Sequence, residues 1–177
     1  MVNSEQLIII FDGPDGCGKT NIAQELALQL GIPYYKNEAE HQYFRADPSY
    51  FIHAIRYVDT YFTGYLEKSD ASVILDRAWP SEWIYSKVMG RDTDMAVLRD
   101  LDKRHAALGT FIITPYRSSY HAVCDEYHEV TDRIEQIHDL YAEFYSWTRC
   151  RNLRICVDSE DLDEQVKTII EFIKKSQ

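Results

Sequence analysis

Leu7-Ile8-Ile9-Ile10-Phe11 runs directly into Asp12-Gly13-Pro14-Asp15-Gly16-Cys17-Gly18-Lys19-Thr20. The five apolar residues, mostly β-branched, predict a strand buried on both faces of a parallel sheet. Gly13 to Thr20 fits GxxxxGK[ST] at every position. Behind it Ile22, Leu26, Ala27 and Leu30 recur at helical spacing as far as Gly31-Ile32-Pro33, a stop signal. Strand, glycine-rich turn and helix form the setting in which this motif holds a triphosphate. Gly13, Gly16 and Gly18 let backbone N–H groups turn inward with Asp15 and Cys17 between them, and the helix start adds its positive dipole end. Lys19 is expected to reach the β- and γ-phosphates and Thr20 to offer its hydroxyl to Mg²⁺. The bland alternative is a turn that merely joins strand to helix. Cys17 needs only to be small, against which stands a regulatory thiol.

The rest of the 177 residues continues the alternation. Strands are expected at Tyr34–Lys36, Ser72–Leu75, Thr110–Thr114 and Leu153–Val157. Helices are expected at Tyr50–Leu66, Ser81–Met89, Asp94–Leu108, Thr131–Trp147 and Leu162–Lys174. This predicts an α/β fold, a three-layer α/β/α sandwich around a parallel sheet. With 45% apolar residues and no linker or repeat, residues 1–177 are expected to form one domain. Tyr116–Val130 is the least regular stretch and is a candidate mobile cover, placing a lid within about 116–135.

Acids outnumber bases 29 to 19, so the overall field repels a nucleic-acid backbone and stable nucleic-acid binding is not expected. Cys17, Cys124, Cys150 and Cys156 lie far apart without metal-ligand spacing, the six histidines likewise, and no signal-peptide pattern or membrane-spanning run is present. Reduced thiols in the cytoplasm are the expectation.

After the Ser72–Leu75 strand come Asp76 and Arg77, an acid and a base at a strand's carboxyl end. A carboxylate there can serve a Mg²⁺ shell, and a guanidinium can grip an acceptor phosphate bidentately. Taken alone, the pair is as readily a surface ion pair.

Phe11 to Thr20, followed by Asp76, Arg77, Ser81 and Tyr85 in the pattern Asp-Arg-x-x-x-Ser-x-x-x-Tyr, resembles the thymidylate kinase group of nucleoside monophosphate kinases. The segment Asp132–Gln136 resembles that group's lid, followed by a helix bearing Tyr141, Phe144 and Tyr145, and Ile155 to Asp158 resembles its last strand. The resemblance implies a five-stranded sheet of order 2-3-1-4-5 and ATP-dependent phosphorylation of a deoxynucleoside monophosphate, dTMP or a related pyrimidine nucleotide. It implies Asp15 at the acceptor's 3′-hydroxyl, Lys19 and Thr20 on the donor, Asp76 in the metal shell, Arg77 on the acceptor phosphate and Arg133 as the lid arginine. Ser81 and Tyr85 belong to the same acceptor motif.

The chain also departs from the pattern. Ala78 stands where the group has an aromatic, with Trp79 one position later, and Lys36 replaces an expected arginine as candidate phosphate ligand. Lysine binds phosphate as a point charge without the arginine fork. On the Tyr50–Leu66 helix, Arg56 and Phe62 are the counterparts of residues that meet the acceptor base, against the alternative of core packing. A kinase of another acceptor, such as a deoxynucleoside, a modified pyrimidine nucleotide or a DNA base, stays open, as does a non-enzymatic nucleotide switch. Dimers are usual in the resembling group, and Tyr57, Tyr61 and Trp83, read as exposed aromatics, are candidate interface residues.

Overall fold

A computed structural model describes residues 6–36, 50–121 and 128–176, with the side chains of 50, 51, 128 and 129 outside that description. The elements are β1 (Ile8–Phe11), α1 (Lys19–Leu30), β2 (Tyr34–Lys36), α2 (Tyr50–His53), a π-helical stretch (Ala54–Asp59), α3 (Thr60–Leu66), β3 (Val73–Asp76), α4 (Trp79–Met89), α5 (Met95–Ala107), β4 (Phe111–Tyr116), α6 (His128–Thr131), α7 (Ile134–Trp147), β5 (Arg151–Cys156) and α8 (Leu162–Ser176). The strands form one parallel sheet in the order β2-β3-β1-β4-β5.

β1 is central, which is why all four of its residues are apolar and buried. Alternate residues point to opposite faces. Ile8 and Ile10 join Val73, Leu75 and Ile112 beneath Trp83, Leu101, Ile137 and Phe144 of α4, α5 and α7. Ile9 and Phe11 join Ile74 and Ile113 against Ile22 and Leu26 of α1 and Val166 and Ile169 of α8. The result is the expected three-layer sandwich.

Several boundaries move for identifiable reasons. The helix expected over 50–66 contains a π-helical turn, where the Thr60 N–H and the Thr60 hydroxyl (2.9 Å) both bond Ile55 O. The helix expected over 131–147 breaks at Arg133 (φ −119°, ψ 14°), whose guanidinium instead caps Val88 O near the end of α4. β4 continues through Pro115 to Tyr116; β1 has ended by then, so the missing proline N–H costs no ladder bond. β5 starts at Arg151, where edge-strand charges hid it from an apolar pattern.

The aromatics divide. Tyr57 and Tyr61 are exposed as expected, whereas Trp83 is buried between Phe144 and Trp147 and is no surface residue. Trp79 is likewise fully buried, packed at tilted angles against Phe144, Trp147 and His105, so it does not replace the missing aromatic at Ala78. Among the described residues no helix is long and apolar enough to cross a membrane. Cys17 and Cys150 are buried free thiols and Cys156 an exposed one, while Cys124 lies outside the described residues.

Candidate functional site

The phosphate loop leaves β1 where backbone space is shortest. A Cβ on Gly13 would lie 2.8 Å from Pro115 O, so only glycine passes beneath β4. Gly16 (φ 73°) and Gly18 (φ 66°) take left-handed turns that bring the chain to the start of α1. Lys19 Nζ donates to Pro14 O at 2.6 Å and stands 3.6 Å from Asp15 Oδ1. Burial, then the neighbouring Arg77 charge, lowers the Lys19 pKa to about 8 despite Asp15. Thr20 Oγ1 donates to Asp76 Oδ2 at 2.6 Å, and Tyr34 donates to the same oxygen at 2.8 Å. Lys36 Nζ lies 3.9 Å from it.

Beside this donor-side group stands a second one. Arg77 is a non-glycine residue at φ 68°, its N–H donating to Phe11 O at 2.8 Å. Its guanidinium donates to Asp15, to Ser81 Oγ at 3.0 Å and to Gly13 O at 3.3 Å, and lies 5.3 Å from the Tyr85 ring centre. Tyr85 donates its phenol hydrogen to Asp15 Oδ2 at 2.6 Å. Burial alone would raise the Asp15 pKa; the charges of Arg77 and Lys19 and the bonds from Tyr85 and Arg77 overcome it and bring it to about 2. A positive φ on arginine costs roughly 1–2 kcal/mol and survives where the surroundings over-determine it.

Asp15, Lys19, Thr20, Lys36, Asp76 and Arg77 thus line one open cavity of about 200 Å³ with Gly16 and Gly18, and Ser81 and Tyr85 back it through Arg77 and Asp15. Hard oxygens at Thr20 and Asp76, next to a lysine and a helix N-terminus, fit a Mg²⁺–triphosphate. Other expected residues stand elsewhere. Arg56 is tied to Asp94 at 2.7 Å, at the start of α5. Phe62 stacks on Tyr35 (5.7 Å) and Tyr65 (6.1 Å), the former adjoining Lys36. Arg133 is held on Val88 O. Cys17 faces the core beneath the loop, and burial raises its thiol pKa. Of the expected lid, residues 122–127 lie outside the described residues.

Some site residues escaped the sequence reading. Asp12 is fully buried and contacts the loop, α4 and α7. Arg117, just past β4, donates to Gly16 O at 2.9 Å and to Glu160 at 3.0 Å. Tyr120 lies 3.9 Å from Cys17 Sγ and 2.9 Å from His138 Nδ1. The rule that ligands gather at the carboxyl ends of parallel strands marks both Asp12 and Arg117. Among the described residues no group of three or more His, Cys, Asp or Glu side chains forms a metal cluster.

Solved structures share this architecture over nearly the whole chain. The YorR protein of Bacillus subtilis, in complex with phosphorylated GDP, has a TM-score of 0.68 at 22% identity, covering 94% of this chain and 95% of its own. Thymidylate kinase of Ehrlichia chaffeensis has a TM-score of 0.66 at 18% identity, covering 95% and 98%. Deoxyadenosine kinase of M. mycoides has a TM-score of 0.60 at 20% identity, covering 97% and 100%. At these identities the likeness shows the fold alone, a five-stranded parallel sheet between helices. Among curated proteins, Cell division control protein 48 homolog C of Arabidopsis thaliana is 52% identical over 31 residues, 18% of this chain. The chain spans only 4% of that relative's length. A family model described as AAA domain, by contrast, matches residues 8–165, from β1 into α8 and so across the phosphate loop, Asp76 and Arg77; the chain belongs to that AAA domain family.

Proposed function

We propose that this chain is an ATP-dependent kinase that phosphorylates a deoxynucleoside monophosphate, dTMP or a related pyrimidine nucleotide. The observation carrying this reading is the ion pair between Asp15 and Arg77 inside the same cavity as Lys19 and Thr20. A guanidinium suited to an acceptor phosphate and a carboxylate suited to a sugar hydroxyl stand beside a triphosphate cradle.

In this mechanism Lys19 exchanges Pro14 O for the donor phosphates. Thr20 and Asp76 would hold a Mg²⁺, which would supply charge neutralisation at the donor's phosphate oxygens. Arg77 exchanges Asp15 for the acceptor phosphate, with Lys36 as a second cation. Asp15, still held by Tyr85, is then able to accept from the acceptor's 3′-hydroxyl, and Ser81 keeps the guanidinium in place. Phosphoryl transfer asks for such positioning and charge compensation rather than a covalent intermediate. Arg133 leaves Val88 O when the lid, within residues 116–135, closes and excludes water. Phe62 and Arg56 bound the acceptor's base, Arg56 after release from Asp94. Residues 1–177 act as one kinase domain.

A second reading, a kinase of a different acceptor such as a deoxynucleoside, is favoured by the burial of Trp79, which leaves Ala78 beside Arg77 without an aromatic. Both readings are tested by ADP release from Mg-ATP across deoxynucleoside monophosphates, free deoxynucleosides, ribose analogues and single-stranded DNA. Turnover with one deoxynucleoside monophosphate supports the first reading. Turnover only with deoxynucleosides moves the acceptor assignment to the second, and turnover with none removes both.

A further inference from the structure

Asp12 is the last residue before the phosphate loop, and its carboxylate gathers donors from three parts of the chain. Oδ1 accepts from Gly13 N at 3.0 Å, from the Ser81 hydroxyl at 2.7 Å and from the Tyr141 phenol of α7. Oδ2 accepts from Ser81 N at 3.0 Å and Ala78 N at 3.4 Å. Arg77 Nη1 lies 3.5 Å from Oδ1.

Burying a carboxylate is costly, and apolar residues would fill the same volume at less cost. The geometry says what the carboxylate does that they would not. Three of its bonds, to Ala78 N, Ser81 N and Ser81 Oγ, close around the turn in which Arg77 is held at φ 68°. Ser81 Oγ, which donates to Asp12, is also the oxygen that accepts from Arg77 at 3.0 Å. Among the described residues no hydrogen bond from Asp12 reaches Lys19, Thr20 or Asp76, whose side chains are held by Pro14, by each other and by Tyr34.

We infer that Asp12 is the positioning residue of the acceptor side: it locks the Arg77 turn and guanidinium in place. This rests on the kinase reading, which gives Arg77 the acceptor phosphate. Asp12 itself touches no substrate. It acts chiefly through Arg77, with three bonds around that turn against one to Gly13 N of the phosphate loop, so its loss weakens acceptor capture far more than donor binding.

Asp12→Asn keeps an acceptor oxygen but sets an NH₂ among donors and removes the charge facing Arg77. The acceptor KM is expected to rise about tenfold, the worth of a charge-assisted hydrogen bond, with donor Kd by calorimetry within about twofold. Tyr141→Phe keeps the charge and the other four bonds; it should leave acceptor KM within about threefold even where it lowers Tm. Parallel loss of donor and acceptor affinity in Asp12→Asn, or an equal acceptor effect in Tyr141→Phe, would overturn the inference. Side-chain ¹⁵N spectra of Arg77 test it without turnover. A restrained guanidinium is expected in the wild type and an averaged one in Asp12→Asn. Unchanged Arg77 signals would refute the role of Asp12, whereas a wild type inactive with every acceptor would remove only the kinase reading. Should Asp12→Asn not fold, Ser81→Ala removes the hydroxyl shared by Asp12 and Arg77 and is read by the same spectra, where unchanged signals again refute the inference.

Discussion

Thr20 donates its hydroxyl hydrogen to Asp76 Oδ2 across 2.6 Å, fastening the first turn of α1 to the end of β3. Both oxygens are hard ligands, so the pair is expected to hold Mg²⁺ directly through Thr20 and in outer shell through Asp76. Asp76→Asn should weaken Mg-nucleotide binding by about 10–100-fold, the usual worth of an outer-shell partner, while leaving metal-free nucleotide binding nearly unchanged. Calorimetry with and without Mg²⁺ separates the two, and equal losses in both would argue against a metal role for this pair.

Lys19 gives a pH signature. Its pKa in the free protein is about 8, lowered chiefly by burial and then by Arg77. Bound phosphates restore a partner for the ammonium and raise that pKa, so binding near pH 8 should take up roughly half a proton, and binding at pH 6.5 almost none from this group. Above pH 8 nucleotide affinity therefore falls. Titrations in buffers of different ionisation enthalpy count the protons, and Lys19→Met should abolish the uptake.

Much of this site was legible because its signals are local. β1, the Gly13–Thr20 motif and Asp76-Arg77 each sit within one turn or strand end, where sequence spacing is also spatial spacing. Asp12 meets Tyr141 across 129 positions and Arg117 meets Gly16 across 101, and no periodicity encodes such pairs. The same limit explains Arg56. Its place on a helix was readable, but its ion pair with Asp94 depends on how α5 packs against the π-helical turn. Trp83 reads as a surface residue in the sequence, which does not say that α7 covers α4.

Arg77 separates function from stability. At φ 68° any side chain beyond glycine is strained, so Arg77→Gly should be more stable than Arg77→Ala by about 1 kcal/mol. Both should lose acceptor-dependent turnover on the order of a hundredfold while keeping donor binding. Arg77→Lys restores charge without the fork and should recover only part of it. Urea denaturation beside steady-state kinetics tests the pair; retained activity in Arg77→Gly would remove Arg77 from acceptor binding.

His105 governs a different property. It is buried, with Nε2 3.1 Å from Thr63 Oγ1 and Nδ1 3.0 Å from Thr110 Oγ1. Burial, then Arg104, lowers its pKa to about 4 from 6.5, against a small opposing pull from Glu67. The unfolded chain takes up this proton below pH 6.5 and the folded one only near pH 4. The contribution to stability is therefore complete above pH 6.5 and is lost as pH falls from 6.5 to 4, amounting to roughly 3 kcal/mol. Buried carboxyls such as Asp12 and Asp102, whose pKa values burial raises, push the other way, so wild type is compared with His105→Gln. Glutamine keeps a neutral donor and acceptor for the two threonines and cannot titrate. Between pH 7 and pH 4 the stability difference between the two proteins should shift by that amount in favour of His105→Gln; a constant difference would mean that His105 titrates in the folded protein as it does in the unfolded chain.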